Sequence, residues 1–516
     1  MRIWLDTSPH SHARDNDCNH DCGDCIVSMP LPDIIWPPAE KLVTALRTLQ
    51  LEQATPIHMQ PCGDEKWLLC TPTGSGRIAV FDAEALSFFS LFATPTTIAH
   101  VLEKTAAAWP REGLEGMLAL FYQLGFLRAS GTIAPPLEQT ALQTLTAWLH
   151  VTNECNLRCA YCYIDKTPQH MSPAIGRQSI DAIFRSALKH KKQQIRLKFA
   201  GGEASLQITQ VLALYDYALQ LAQEHNILLK AAILTNGVAL SQRTIERLKA
   251  RQIAVTISLD GLGSFHDRQR PMVNGRDSST HVLRTIDRLL ANEMVPSITV
   301  TVSGRSLAGL PDLMRYILQR DLPFSLNYYR DNDCSTHITD LRFMDEQIIA
   351  AMRSVFAVIE EHLPARSLLD SLLDKASISM PHTHTCGVGQ NYLVIDQQGG
   401  VAKCQMEIKQ TVTTIQSDDP LRLIQLDRRG VQNLAVAEKQ ACRSCEWRNW
   451  CTGGCPALTY RSTGRYDVKS PNCHIYKALF PKVLRLEALR LLRYCTPITI
   501  SRVFQALENG TSRLQY

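Results

Sequence analysis

Six apolar, strand-like runs alternate with amphipathic helical stretches between residues 145 and 329, and this alternation constrains the fold more than any other feature of the chain. The runs fall at 145–152, 195–200, 228–234, 253–259, 295–302 and 324–329. Helical stretches such as SIDAIFRSALKH, VLALYDYALQLAQEH and QRTIERLKARQ lie between them. Repeats of strand and helix predict an α/β fold, a partial (β/α)6 barrel with a parallel sheet and its chemistry at the C-terminal strand ends.

Those strand ends carry polar motifs. Directly after the first run comes ECNLRCAYCY, with Cys155, Cys159 and Cys162 at C-x3-C-x2-C spacing and Tyr161 before the third cysteine. Thiolates are the usual ligands of iron–sulfur clusters. Three of them on one loop hold three irons of a four-iron cluster and leave the fourth open. A zinc loop is the competing reading. Gly201, Gly202 and Glu203 follow the second run; the glycines allow close backbone approach and Glu203 supplies an acceptor. Thr235-Asn236-Gly237 closes the third run and Ser258-Leu259-Asp260-Gly261 the fourth, with His266-Asp267-Arg268-Gln269-Arg270-Pro271 just beyond. Asn327-Tyr328-Tyr329-Arg330 closes the sixth. Turn-forming N-G and D-G pairs are common singly. Their order behind a cysteine loop is what carries information.

The chain has 516 residues, 45% hydrophobic and 20% charged, with a net charge of +5. That composition fits a globular protein with room for roughly three or four domains. So small a net charge does not point to nucleic acid. No run of about 18 apolar residues occurs to span a membrane, and the first residues lack an apolar signal core, so a cytoplasmic location is expected. Of 17 cysteines, 13 cluster at 18/22/25, 155/159/162, 386/404 and 442/445/451/455/473. In a reducing compartment such clusters more often bind metal than form a disulfide scaffold. Cys62, Cys70, Cys334 and Cys495 are scattered and read as small buried hydrophobes.

The remaining segments organise around the barrel, placed at 145–340. Residues 1–54 read as an extension bearing His10, His12, Cys18, His20, Cys22 and Cys25. Its C-x3-C-x2-C spacing repeats that of the central loop, but a proline-rich segment follows in place of a helix. It is either a metal site or a cysteine-containing tail. Residues 55–130 read as a small domain, with β-like runs at 66–70 and 77–81 around a turn at 72–76 and then three helical stretches ending in "GFL". A linker spans 131–144 and connecting helices 341–380. Residues 381–480 hold Cys386, Cys404, Cys442, Cys445, Cys451, Cys455 and Cys473, with Gly453-Gly454 bending the chain between two of them. A zinc ribbon would need only four ligands. Residues 481–516 read as a basic amphipathic helix and tail that packs on the cysteine-rich segment.

The ECNLRCAYCY loop, with the ordered strand-end motifs behind it, resembles the radical SAM signature. The resemblance implies a [4Fe-4S] cluster on Cys155, Cys159 and Cys162 whose open iron chelates S-adenosylmethionine. One electron then cleaves the sulfonium to a 5′-deoxyadenosyl radical, so these three cysteines are implied as catalytic. It also implies contacts to S-adenosylmethionine from Tyr161, Gly201, Gly202 and Glu203, and from Ser258 and Arg270 to its ribose and carboxylate. Arg268 and Arg276 stand beside Arg270 as competitors.

The seven tail cysteines resemble the SPASM domain, which carries two auxiliary four-iron clusters and so implies three in all. By that pattern Cys442, Cys445, Cys451 and Cys473 hold one, and Cys386, Cys404 and Cys455 the one nearer the active site. The nearer cluster has three visible ligands. Its fourth iron is open, for instance to a substrate thiolate, or is ligated by Cys334 or the N-terminal group. Residues 55–130 look like the PqqD-like winged-helix domain, a recognition element of ribosomally made peptides, which binds a leader peptide as an added strand.

Together the resemblances imply a peptide maturase. It abstracts hydrogen from a precursor peptide to form a thioether or carbon–carbon crosslink, and an external donor such as flavodoxin or ferredoxin supplies the electron. No nucleic-acid or membrane partner is implied. Two alternatives stand beside this reading. Anaerobic sulfatase maturases are similar, but carry an aspartate after the cysteine matching Cys404, where this chain has Gln405 and Met406. A zinc-stabilised winged-helix binding protein would hold zinc and have no affinity for S-adenosylmethionine.

Overall fold

A computed structural model describes residues 1–6, 40–105, 108–132 and 143–501. The N-terminal unit comprises β1 (Arg2–Trp4), α1 (Glu40–Leu46), β2 (Gln50–Gln53), β3 (His58–Gly63), β4 (Lys66–Cys70) and β5 (Ile78–Asp82). It continues with α2 (Ala83–Ser90), β6 (Thr96–Thr97), α3 (Ile98–Thr105), α4 (Arg111–Gln123) and β7 (Leu127–Ala129). Strands β3, β4 and β5 form an antiparallel meander, and β1 adds to β5. An aromatic core fills the space between sheet and helices: Phe81 stacks on Phe121 at 5.0 Å and meets Phe89 edge-on at 5.8 Å. Asp82 ends β5 and caps α2 by accepting from Ala85 N at 2.8 Å.

This unit corrects the expected boundary at residue 55. β1, α1 and β2 lie within the supposed 1–54 extension, and β2 pairs with both β6 and β7. Strands of three or four residues are too short to show a period. Their pairing to distant strands defines them. The third helical stretch is also shorter than its sequence suggests, because α4 stops at Gln123 and the "GFL" end feeds β7. His10, His12, Cys18, His20, Cys22 and Cys25 lie outside the described residues, as does most of the expected 131–144 linker.

The barrel follows as β8 (Thr144–His150), α5 (Pro173–Lys189), β9 (Gln194–Ala200), α6 (Ile208–Glu224), β10 (Leu228–Thr235), α7 (Gln242–Ala250) and β11 (Ala254–Ser258). It closes its run with α8 (Ser264–Asp267), α9 (Ser279–Ala291), β12 (Ser297–Val302), α10 (Leu310–Gln319) and β13 (Phe324–Tyr328). All six strands pair in parallel and in chain order, and β13 does not return to β8. Alternation within the strands separates two surfaces. Leu145, Ala147 and Leu149 of β8 join the core under the helices, whereas Trp148 lines a cavity together with Thr299 and Thr301 of β12. Ser172 and Ser241 cap α5 and α7, accepting from Ile175 N and Thr244 N, each at 3.2 Å.

After the barrel come α11 (Asp345–Glu361), β14 (Tyr392–Ile395), β15 (Gly400–Ala402), β16 (Thr411–Thr414), α12 (Pro420–Leu426), α13 (Arg448–Cys451), α14 (Pro456–Thr463), α15 (Cys473–Tyr494) and β17 (Ile498–Thr499). Three expectations change here. Of the connecting helices expected across 341–380, one α-helix forms, Asp345–Glu361. The cysteine-rich segment is not set apart from the barrel, because β14 pairs in parallel with β8 (Tyr392↔Thr146 to Ile395↔Leu149) and β15 and β16 extend the same sheet to nine strands. The last helix begins at Cys473 and runs through Pro481, where a proline would ordinarily mark a boundary. It packs against α11 and the N-terminal sheet, and Gln60 Nε2 donates to the Pro481 carbonyl at 3.0 Å. β17 then pairs with β1, joining the two ends of the described chain. Among the described residues no helix is long and apolar enough to cross a membrane.

Arg490 of α15 fastens this arrangement. Its buried guanidinium donates to Glu487 (2.6 and 3.0 Å), Asp6 (2.8 Å) and the Ala365 carbonyl (3.0 Å). Arg490→Ala leaves two largely buried carboxylates without their cation, so a loss of about 3–5 kcal/mol is expected. A lower urea midpoint for the N-terminal unit would register it; an unchanged midpoint would contradict it.

Candidate active site

A cavity of about 250 Å³ lies at the C-terminal ends of the barrel strands. Cys155, Cys159, Cys162, Tyr161, Gly201, Gly202, Glu203, Ser258 and Arg270 all line it, and Cys386, Cys404 and Cys455 reach it from the tail. The cysteine loop is seated on the end of β9. Gly202 N donates to the Thr152 carbonyl at 2.6 Å and Glu203 N to the Glu154 carbonyl at 2.8 Å. A Cβ on Gly201 would lie 2.5 Å from the Thr152 carbonyl oxygen. One on Gly202 would lie 2.5 Å from that of Asn153 and strike that of Glu154. These glycines are required by the loop itself. The Glu203 carboxylate is buried and fully engaged, accepting from Ser205 N (3.0 Å), Thr235 Oγ1 (2.7 Å) and Asn236 N (2.7 Å). It ties the second strand end to the third.

Asn236 extends that tie to the cysteines. Its Nδ2 donates to Asn156 Oδ1 at 2.7 Å and approaches Cys155 Sγ at 3.8 Å. Lys166 Nζ donates to Cys162 Sγ at 2.9 Å. Burial works against the Lys166 charge, yet the Cys162 and Cys155 sulfurs hold it above the ordinary lysine value. Burial raises Cys155 as well, and it pushes Cys159 up to about 12, with Arg270 opposing and the two neighbouring thiols adding.

Opposite the loop, Tyr161 Oη donates to Asp260 Oδ2 at 2.5 Å, and Arg270 Nη1 bonds the same hydroxyl. Asp260 is fully buried and also accepts from Thr301 N at 2.8 Å. Burial raises the Asp260 carboxyl, with Arg270 opposing it. Beneath it His266 accepts from Asp260 N at Nδ1 (3.3 Å), and burial lowers its value to about 3, keeping the ring neutral. Arg268 and Arg276 are both exposed, so Arg270 alone of the three competitors enters the cavity.

The seven tail cysteines divide between two cavities. Cys386, Cys404 and Cys455 line the first; Cys442, Cys445, Cys451 and Cys473 line a second, smaller one. Burial pushes Cys451 up to about 12 and raises Cys442 and Cys473. No three His, Cys, Asp or Glu side chains among the described residues close on one point as a single-ion site would require. Cys334 Sγ sits 3.3 Å from Asp165 Oδ1 and does not line the first cavity.

The donor set fits iron–sulfur clusters and a polar ligand. Soft thiols are the preferred donors for such clusters, and they are grouped by three, three and four around space. Several buried polar atoms on the first cavity's wall lack any partner: Arg270 Nε, Thr299 Oγ1, Tyr328 Oη, Trp148 Nε1 and Arg330 Nε. Thiols held protonated must release protons to bind metal, so loading is favoured as pH rises. Iron taken up by the apo chain at fixed iron and sulfide is therefore expected to increase from about pH 7 to about pH 9. A flat profile would contradict the thiol protonation described.

Sequence reading placed Asn236, Asp260 and Arg330 at strand ends without a role, and it missed Lys166 and the buried pairing of Arg330 with Asp374, in which Arg330 Nη2 meets both carboxylate oxygens at 2.6 Å. Asp260 and Asn236 were visible only as members of turn pairs. Lys166, four residues after Cys162, had no signal beyond that spacing.

Comparison with known proteins bears on this site. Residues 149–317 match the Radical SAM superfamily. The chain is 31% identical over 171 residues to an uncharacterised protein of Methanocaldococcus jannaschii, covering 33% of this chain and 57% of the relative. It is 26% identical over 292 residues to the antilisterial bacteriocin subtilosin biosynthesis protein AlbA of Bacillus subtilis, covering 55% and 60%. The chain thus spans somewhat under two thirds of the length of both relatives. In fold it is similar to anSMEcpe with bound AdoMet and Kp18Cys peptide, with a TM-score of 0.55 and 19% identity over 67% of this chain and 99% of that one. Residues 149–317 are a radical SAM domain on an open parallel α/β sheet.

Proposed function

We propose that the chain is a peptide maturase that holds three [4Fe-4S] clusters and S-adenosylmethionine and modifies a ribosomally made precursor peptide. One observation carries this reading: a single cavity is walled by Cys155, Cys159, Cys162 and the Gly201–Gly202–Glu203 turn on one side, and by Cys386, Cys404 and Cys455 on the other. Cys155, Cys159 and Cys162 would hold the cluster that binds S-adenosylmethionine. Gly201, Gly202, Ser258 and Arg270 would receive S-adenosylmethionine, with Tyr161 and Asp260 fixing the Arg270 guanidinium. When bound, cluster and S-adenosylmethionine supply a hydrogen-abstracting agent, and the protein supplies placement and exclusion of water. Trp148, Ile164, Leu234, Val388 and Ala457 give the cavity the apolar walls that exclusion needs.

Cys442, Cys445, Cys451 and Cys473 would hold a second cluster. Cys386, Cys404 and Cys455 would hold a third and leave one iron facing the cavity, open to a substrate thiolate. These two clusters would take the second electron as a thioether or carbon–carbon crosslink forms, and a flavodoxin- or ferredoxin-like donor would supply the first. A leader peptide would dock on the N-terminal unit, whose antiparallel sheet and three following helices suit strand addition. Strand β3 ends that sheet on one side and carries the exposed Met59. The naming of one relative for subtilosin biosynthesis supports a peptide substrate.

Oxidation of a cysteine or serine in a sulfatase is the competing reading. Gln405 stands on the cavity wall, where its Oε1 accepts from Tyr392 Oη at 3.1 Å. An amide there cannot take up a proton as a carboxylate would, which weighs against that chemistry. The main reading is tested by anaerobic purification with iron and sulfide quantitation. About twelve irons per chain are expected for three four-iron clusters; a colourless, zinc-containing protein would sink the proposal. With S-adenosylmethionine, reductant and precursor peptide, the product is expected to be lighter by two hydrogens.

A further inference from the structure

Lys439 is 2% exposed, and its ammonium has one acceptor, the Thr452 carbonyl at 2.7 Å. Among the described residues no carboxylate pairs with it, although other buried cations have one: Lys403 has Asp427, Arg330 has Asp374 and Arg490 has Glu487. A buried cation without a counter-anion is costly. The backbone around it shows which groups could answer it.

The contacts of Lys439 include chain neighbours of several tail cysteines. Cys442 N donates to the Lys439 carbonyl at 3.1 Å. Thr452 follows Cys451. Thr385 precedes Cys386, and its Oγ1 bonds the carbonyls of Thr452 (3.2 Å) and Gly454 (2.9 Å), the latter just before Cys455. The lysine stem lies on the Gly453-Gly454 turn that separates Cys451 from Cys455. Both glycines are left-handed (φ +81° and +71°), and a Cβ on Gly453 would come within 2.6 Å of Lys439 Cδ. This one buried knot therefore touches the backbone that carries Cys386 and Cys455 of the first cavity and Cys442 and Cys451 of the second.

We propose that Lys439 is the shared counter-cation of the two tail cysteine sites, positioning the turn between them and favouring negative charge on the groups bound at both. The inference rests on the reading that these cysteines hold iron–sulfur clusters. Reduction of either cluster adds one electron and one negative charge, so a fixed cation between them raises both potentials. Lys439 is a positioning residue. It acts on the clusters through charge and through the turn, and it does not line the first cavity.

The test uses the full chain carrying Cys159→Ala, so that the tail clusters are the only ones present, titrated against dithionite. Adding Lys439→Met is expected to lower both tail potentials by at least tenfold in the reduction equilibrium, about 59 mV each for one-electron couples. Lys439→Arg is expected to keep both. Should Lys439→Met fail to load iron, the proposal requires loss at both sites together and recovery of both in Lys439→Arg. Full iron with unmoved potentials, an effect confined to one cluster, or an arginine variant that behaves like the methionine one would overturn it. The iron content of the Cys159→Ala parent separates this outcome from failure of the cluster reading, since a parent without iron refutes the latter directly.

Discussion

Cys159→Ala is expected to abolish reductive cleavage of S-adenosylmethionine while leaving about eight of twelve irons in place. Cys159 lies between Cys155 and Cys162 on one loop, and its burial and its interaction with both neighbouring thiols show the three acting on one volume. With one thiol gone, two ligands remain on the loop, and Cys334 is engaged with Asp165 outside the cavity wall. The tail cysteines are carried by the segment from Cys386 to α15, which keeps its own hydrogen bonds. Iron analysis and the yield of 5′-deoxyadenosine would check both halves. Retained cleavage would refute the assignment of the loop. Loss of all irons would refute the independence of the tail.

Gly202→Ala is expected to have nearly the same catalytic effect without touching a ligand. Its methyl group would meet the carbonyl oxygens of Asn153 and Glu154, the backbone that leads directly into Cys155. Neither oxygen can step aside as a side-chain tip would. The loop must lift, and the bonds from Gly202 N and Glu203 N at 2.6 and 2.8 Å go with it. Overpacking alone costs about 1–3 kcal/mol, so a chain of this size is expected to stay folded while its thiols lose their common geometry. The expected result is a loss of about four irons, those of the central cluster, and of S-adenosylmethionine cleavage. Full iron content with normal cleavage would show that the loop tolerates the displacement and that the tight seat on β9 is not required.

Much of the site was legible because it is local. Cys155, Cys159 and Cys162 lie within one loop, Gly201 to Glu203 in one turn, and each falls directly after a strand whose apolar run marks it. Strand ends of a parallel sheet share one side, so motifs in strand order become neighbours in space. What escaped was set by contacts across the chain. Arg268, Arg270 and Arg276 are equivalent in sequence, and only the course of the segment after β11 buries one of them against Tyr161 and Asp260. Lys439 looks like any surface lysine until the Gly453-Gly454 turn folds over it.

The sequence by itself determined six parallel strands, a three-thiol loop at the mouth of their sheet and a second, cysteine-rich segment, because periodicity and ligand spacing are properties of short stretches. Only the tertiary structure decided that β14 continues the barrel sheet beside β8, that β1 and β17 pair so as to bring the two ends of the described chain into one sheet, and that three tail cysteines share a cavity with the central loop. Strand pairing and burial of charge depend on residues hundreds of positions apart, and no local pattern encodes which distant partner will exclude the water.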